Sequence, residues 1–411
     1  MLIKNNQNIP EGWSVKKISD VGTTVSGGTP DTNNPEYWDG DVLWVTPSEV
    51  SVLQNRFILN TERRITERGL KQSSAKLLPV NSLIICTRAT IGDCCINKKP
   101  MCTNQGFKNI IVKDNNVDFL YYLVTKNKHE LIRKACGSTF LEISKKDIDN
   151  LKFAIPPLPE QEKIALVLGA WDEAIEKLSG LIEQKKLLKK GLMQKLLTGK
   201  NHLSGFSQPW QKVKLGTLLE SKSKRNKDLK ISRVLSVTNS RGFILPEEQF
   251  ARVVASEDLS NYKVVENGQY AYNPSRLNVG SIDRLDNFEN GVLSPMYVIF
   301  QCNEKLCSDY FKHWITTAEF STKVRNSAQG SVRETVDFKT LSTIKFYIPT
   351  DISEQQAIAD VLSTADDEIN LLNQKLEALK TQKKGLMQKL LTGQIRVKVR
   401  KNDTEPYSSE F

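Results

Sequence analysis

Polar side chains suited to holding a nucleic acid gather near turns at two places along the chain. The first set is Arg88, Asn104, Gln105 and Lys108, with Thr29 in the turn Ser26-Gly27-Gly28-Thr29-Pro30. The second is Arg225, Asn239, Arg241, Asn273 and Arg276. Their chemistry is recognition by hydrogen bonds, without bond making. Arginine reaches guanine O6 and N7, and asparagine or glutamine reaches adenine N6 and N7. Lysine and threonine more often hold phosphate oxygens. All ten are candidate DNA-binding residues. Each taken singly also fits a solvated surface residue or a turn former, and Gly27, Gly28 and Gly137 read as turn formers.

Groups for covalent chemistry do not assemble. The three histidines, His129, His202 and His313, have no metal-ligand spacing. No G-x-x-x-x-G-K-[ST] loop is present to cradle a nucleotide. Asn273-Pro274-Ser275-Arg276 partly matches the Asn-Pro-Pro-aromatic motif of adenine methyltransferases. It lacks the second proline and the aromatic ring that stacks a flipped base. Pro30-Asp31 could begin a nuclease acidic cluster, but no well-spaced Glu-x-Lys follows. Cys86, Cys94, Cys95, Cys102 and Cys136 are five of seven cysteines, and none pairs at C-x2-C spacing. They read as free thiols of a reducing compartment. The chain is therefore expected to be non-catalytic, with no metal or cofactor of its own.

The bulk numbers agree with a binding role. The 411 residues suffice for two or more cores, and 26% are charged. A formal net charge of +11 draws polyanions, nucleic acid first. No apolar run approaches the roughly 20 residues that span a bilayer, and Met1 to Asn6 carry no signal-peptide core. A cytoplasmic location away from membranes is the expectation.

The elements that must position the two polar sets are legible through a duplication. Lys189-Lys190-Gly191-Leu192-Met193-Gln194-Lys195-Leu196-Leu197-Thr198-Gly199 recurs unchanged at Lys383 to Gly393, an offset of 194 residues (385 − 191 = 194). Glu160-Gln161 matches Glu354-Gln355 and Asp172 matches Asp366 at the same offset. Before these the register slips by one, as Gly137-Ser138 against Gly330-Ser331 shows, and Trp13 faces Trp210. Apolar residues step by four and three through Ile164, Leu168, Trp171, Ile175, Leu178, Ile182, Leu192 and Leu196, a heptad seam interrupted by Lys185 and Lys189. The second copy runs from Ile358 to Leu390 and breaks only at Lys383. Prolines 156, 157 and 159 precede the first helix, Ser353 can cap the second, and Gly199 and Gly393 read as stops. Each helix should hold about 39 residues and span roughly 58 Å. The segments before them mix short strands with helices expected over 118–134 and 308–324. The fold class is α+β: two globular domains separated by two long helices, packed as an antiparallel coiled coil with pseudo-twofold symmetry.

Pro156-Pro157-Leu158-Pro159-Glu160-Gln161-Glu162-Lys163-Ile164-Ala165, followed by a heptad helix closing on Lys190 to Leu197, resembles the conserved region of specificity subunits of Type I restriction–modification systems. Ile9-Pro10-Glu11-Gly12-Trp13, Ser26 to Pro30 and Leu293-Ser294-Pro295-Met296-Tyr297 resemble that family's target-recognition domains. The resemblance covers essentially the whole chain. It implies target-recognition domains at 1–156 and 201–349, helical spacers at 157–200 and 350–395, and a basic tail at 396–411. It also implies that each domain reads one half of a bipartite, asymmetric site in double-stranded DNA. The helices would set the spacer and dock two modification (methyltransferase) subunits, which a restriction (motor-nuclease) subunit joins. S-adenosylmethionine, ATP and magnesium would all belong to those partners. The second helix departs from the pattern: Pro349-Thr350-Asp351-Ile352-Ser353 replaces the proline-rich start, and Ala365 stands where the first has Trp171. A coiled-coil adaptor that never touches DNA, or a self-contained methyltransferase or nuclease, are the other readings. The bases recognised and the spacer length are not readable from the chain.

Overall fold

A computed structural model describes residues 9–135, 141–199, 201–248, 258–328 and 335–398. Cys136, the Gly137-Ser138 and Gly330-Ser331 pairs and most of the basic tail lie outside them. No helix among the described residues is long and apolar enough to cross a membrane. The chain divides into two compact units, and the division does not follow chain order. One unit joins Met1–Gly180 to Gln374–Phe411; the other is Leu181–Asn373.

In the first unit a five-stranded sheet runs in the order Gly22–Ser26, Phe107–Val112, Leu83–Cys86, Cys94–Asn97, Phe57–Ile58, and a three-stranded sheet is centred on Trp38–Val45. Strand Ser14–Lys17 pairs antiparallel with Lys152–Ile155, which brings Trp13 to the foot of the first long helix, Leu158–Leu196. The expected helix over 118–134 is two helices, Val117–Lys126 and Lys128–Lys134. Asn127 breaks it, turning its buried amide back onto the Leu123 carbonyl (2.7 Å). The core gathers Leu83, Ile110, Phe119 and Phe153 with Ile164 and Leu168 of the first long helix and Leu390 and Leu391 from the end of the second. Neither helix alone would close this core.

The second unit repeats the plan on different strands. Its four-stranded sheet runs Leu219–Lys222, Val298–Cys302, Tyr270–Tyr272, Ile282–Arg284, and Gln211–Lys214 pairs with Lys345–Ile348. The helix expected over 308–324 is divided into Ser308–Trp314 and Ala318–Ala328. Thr317 makes the break: its hydroxyl donates to the Trp314 carbonyl and accepts from the Phe320 amide. A core of Tyr270, Phe300, Phe311, Trp314 and Phe346 is closed by Leu196 and Leu197 at the end of the first long helix and Ile358 and Leu362 of the second. The second long helix, Ile352–Leu390, has 39 residues like the first. Its cap is Asp351, not Ser353: the Asp351 carboxylate accepts from the Ser353 amide at 2.8 Å, and Ser353 already lies inside the helix.

Within each unit the two helix segments run antiparallel. In the first, Glu160 meets Arg396 and Asp172 meets Lys383. In the second, Lys185 meets Glu368 and Lys189 meets Asp366. The lysines that interrupt the apolar seam thus reach an acid on the facing helix. Lys383–Asp172 and Lys189–Asp366 are the same pair at the 194-residue offset with the donor and acceptor helices exchanged.

Asp366 also faces His313, which hydrogen-bonds Ser363 at 3.0 Å. Burial, helped by Lys189, pushes the His313 imidazole down to about 4; Lys312 acts the same way, and Asp366 and Asp309 act against it. An unfolded chain takes up this proton near pH 6.5 and the folded one only near 4. The second unit should lose stability as pH falls through that window, by about 2–4 kcal/mol from this residue. His313→Gln is expected to remove that share, read as the difference between wild-type and variant unfolding at pH 7 and pH 4. An equal difference at both values would contradict it.

Candidate nucleic-acid interface

In the first unit three loops converge at one end of the five-stranded sheet, and a fourth segment, 141–143, closes on them. The Thr87 amide and hydroxyl both donate to the Gly106 carbonyl (2.8 and 3.1 Å), the Ile143 amide donates to Thr87 (3.1 Å), and the Gly28 amide donates to Thr103 (2.9 Å). Gly27 is required by close approach: a Cβ there would lie 1.9 Å from the Asn104 carbonyl oxygen. This brings all five candidates of the first set together, in unequal roles. The Thr29 hydroxyl donates to the exposed Gln105 side chain. The Asn104 carboxamide oxygen accepts from the Gly106 amide (2.8 Å), so it helps to shape its own loop. Lys108 is buried and reaches Glu142 at 3.4 Å. Arg88 is half-exposed and donates to the same carboxylate at 2.7 Å.

Glu142 is the residue that the sequence did not reveal. Hydrogen bonding from Arg88, assisted by Lys108, holds its carboxyl below the ordinary carboxylate range despite some desolvation. It aims the guanidinium without burying it. Arg88→Ala is expected to weaken DNA binding by about 1–3 kcal/mol, measured by titration of a bound duplex. Asn104→Ala should act mainly by loosening the loop, and equal losses on every DNA sequence for Arg88→Ala would assign that arginine to phosphates instead of bases.

The second set splits. Asn239 and Arg241 occupy the tip between strands Ser236–Thr238 and Gly242–Ile244, where the Arg241 amide donates to the Thr238 hydroxyl. Asn273 and Arg276 follow strand Tyr270–Tyr272, and the Asn273 carboxamide accepts from the Ser275 amide at 3.0 Å. The two loops meet: a Cβ on Gly280 would lie 3.9 Å from that of Asn239, and the Ser281 hydroxyl donates to the Val237 carbonyl at 2.7 Å. Arg225 is held differently, donating to the Asn261 carbonyl at 2.5 Å beside Lys263. Burial, and then the Arg225 charge, lower the Lys263 ammonium. The exposed Met296 also reaches Asn273, a contact that the spacing of the two residues gave no sign of.

The Glu-Gln pair at the start of each long helix is structural. Glu160 accepts from the Trp13 indole (3.2 Å) and from two guanidinium nitrogens of Arg396 (2.6 and 2.8 Å). Glu354 accepts from the Trp210 indole (3.4 Å) and from His202 (2.9 Å). Gln161 receives the Asn116 amide and Gln355 the Cys307 amide, so each glutamine satisfies the start of a domain helix. Among the described residues six cysteines are free thiols, and burial pushes Cys86, Cys94 and Cys102 up to about 12, which leaves them protonated near neutral pH.

A family model described as the Type I restriction modification DNA specificity domain matches residues 10–185 and again 208–381. Over 171 residues, 41% of the chain, the sequence is 42% identical to 40% of the MjaIX specificity subunit of Methanocaldococcus jannaschii. A segment of 165 residues is 29% identical to 40% of the EcoR124I/EcoR124II specificity subunit of Escherichia coli. These two alignments span less than half of either relative. A third covers 95% of the chain and 94% of the MjaVIII specificity subunit of M. jannaschii at 24% identity. Among solved structures, the fold is shared with the S subunit of a Type I system from M. genitalium (TM-score 0.57, 17% identity, 94% of this chain and 98% of that one). It is also shared with a chain from a study of complex assembly and conformational transition of the type I R-M system (TM-score 0.58, 15% identity, 95% and 100% covered).

Proposed function

The chain belongs to the Type I restriction modification DNA specificity family, whose domain it carries twice, and from that premise we propose how it works. It is the non-catalytic, sequence-reading subunit of a restriction–modification complex. Each recognition domain reads one half of a bipartite, asymmetric site in double-stranded DNA through its own loop cluster. The long helices hold the halves at a set spacing and dock two modification subunits, which restriction subunits join. S-adenosylmethionine, ATP and magnesium act on those partners.

One observation carries this reading. Both units keep the same helix-pair support, down to the exchanged Lys–Asp pair, while the polar loops they present differ. Matching helix supports with unlike loops suit a two-part asymmetric target. Docking is supported by the adjacent leucines Leu187 and Leu188, both left exposed on the first long helix.

Long-read methylome sequencing of the host with and without this gene tests the proposal. A bipartite adenine motif should vanish on deletion, and an unchanged methylome would overturn the reading. Binding to random duplex should also fall steeply with salt, as counterion release demands. A salt-independent mobility shift, or none, would point to a protein adaptor.

A further inference from the structure

Met296 sits at the tip of a tight turn in the second recognition domain. The Tyr297 amide closes that turn on the Ser294 carbonyl (3.0 Å), and Pro295 pre-sets its backbone. The turn is fixed from two sides: the Tyr297 hydroxyl accepts from the Val237 amide (3.4 Å), and its carbonyl accepts from Lys263 (2.6 Å). Yet Met296 is 60% exposed. A lone exposed apolar side chain means little, but this one is not alone. The Asn273 amide nitrogen lies 3.6 Å from its sulfur, and Asn273 stands in the loop cluster with Arg276, Asn239 and Arg241.

We propose that Asn273 and Met296 together read one A·T base pair from the major groove, with Met296 packed on the thymine 5-methyl group. This rests on the reading of the second domain as a DNA reader. An A·T pair presents adenine N6 and N7, which suit a carboxamide, beside one apolar methyl group on thymine. Asn273 keeps one N–H and one oxygen lone pair after its bonds to Met296 and Ser275. The thioether beside it is apolar, polarizable and adaptable in shape. A rigid turn spends little ordering entropy when the contact forms.

The test uses the tagged full chain, purified with the subunits that accompany it. A random-sequence duplex pool is selected for binding, and the enriched duplex is remade with deoxyuridine at each thymine in turn. Uracil lacks only the 5-methyl group. At one thymine, wild type should lose about fourfold in affinity, the worth of one buried methyl. Met296→Ala should lose that sensitivity and Met296→Leu should keep it. Enrichment without any thymine whose uracil effect depends on residue 296 would sink this inference and leave the proposed function standing. No enrichment of any sequence would sink both.

Discussion

Four residues inserted after Gly180 together with four after Asn373 should lengthen the spacer of the recognised site and leave both half-sites unchanged. These are the positions where the two compact units divide each long helix. Matched insertions preserve every pairing inside each unit, including Asp172–Lys383 and Lys189–Asp366. An insertion in one helix alone would throw one of those ion pairs out of register. Four helical residues add about 6 Å and turn the helix by about 40° beyond a full circle. One base pair adds about 3.4 Å along the duplex and turns it by roughly 35°. The rotation asks for one extra base pair and the translation for nearly two, so a spacer longer by one or two is expected. Binding to the original site should fall towards the non-specific level, on the order of a thousandfold weaker. The methylome of a strain carrying this variant reads both numbers. Altered half-sites, or the old spacer, would show that the helices are not the ruler.

Arg396→Ala should destabilise the first unit by about 2–4 kcal/mol. Glu160 is almost wholly buried, and Arg396 supplies two of its three hydrogen bonds. Stripping one partner from a buried pair typically costs about 3–5 kcal/mol. The half-exposed guanidinium places this case toward the lower end. The second unit provides the control. His202 stands 194 residues before Arg396 (396 − 202 = 194) and holds the equivalent carboxylate, but by one bond, and the second oxygen of fully buried Glu354 has no hydrogen-bond partner. His202→Arg should therefore stabilise the second unit by about 1 kcal/mol, by supplying the missing donor. Hydrogen exchange resolved by residue separates the two effects. Protection lost evenly in both units on Arg396→Ala would refute the local clasp.

Much of the scaffold was readable because it obeys local rules. The heptad steps, the prolines before the first helix and the terminal glycines bound two helices of 39 residues, and both glycines do adopt left-handed backbone, φ +70 at Gly199 and +68 at Gly393. Breaks inside shorter helices were less readable. Asn127 and Thr317 act through side-chain bonds to the backbone, and such residues also occur inside helices. Of the site, residue types were legible and roles were not. Asn104 and Arg88 are alike on paper as base readers; only the folded loops show that the first braces the Gly106 amide and the second is held by Glu142.

The amino-acid order alone determined that the chain is two copies of one plan, with long amphipathic helices and polar, turn-rich loops, since periodicity, capping and charge act over a few residues. Tertiary structure decided which helix segment completes which core, because an apolar seam demands burial without naming its partner. Asp172 with Lys383 and Glu160 with Arg396 lie more than 200 residues apart in sequence, where side-chain identity carries no address. It likewise decided what holds each polar group in its loop: Asn104 braces the Gly106 amide, and Glu142 holds Arg88.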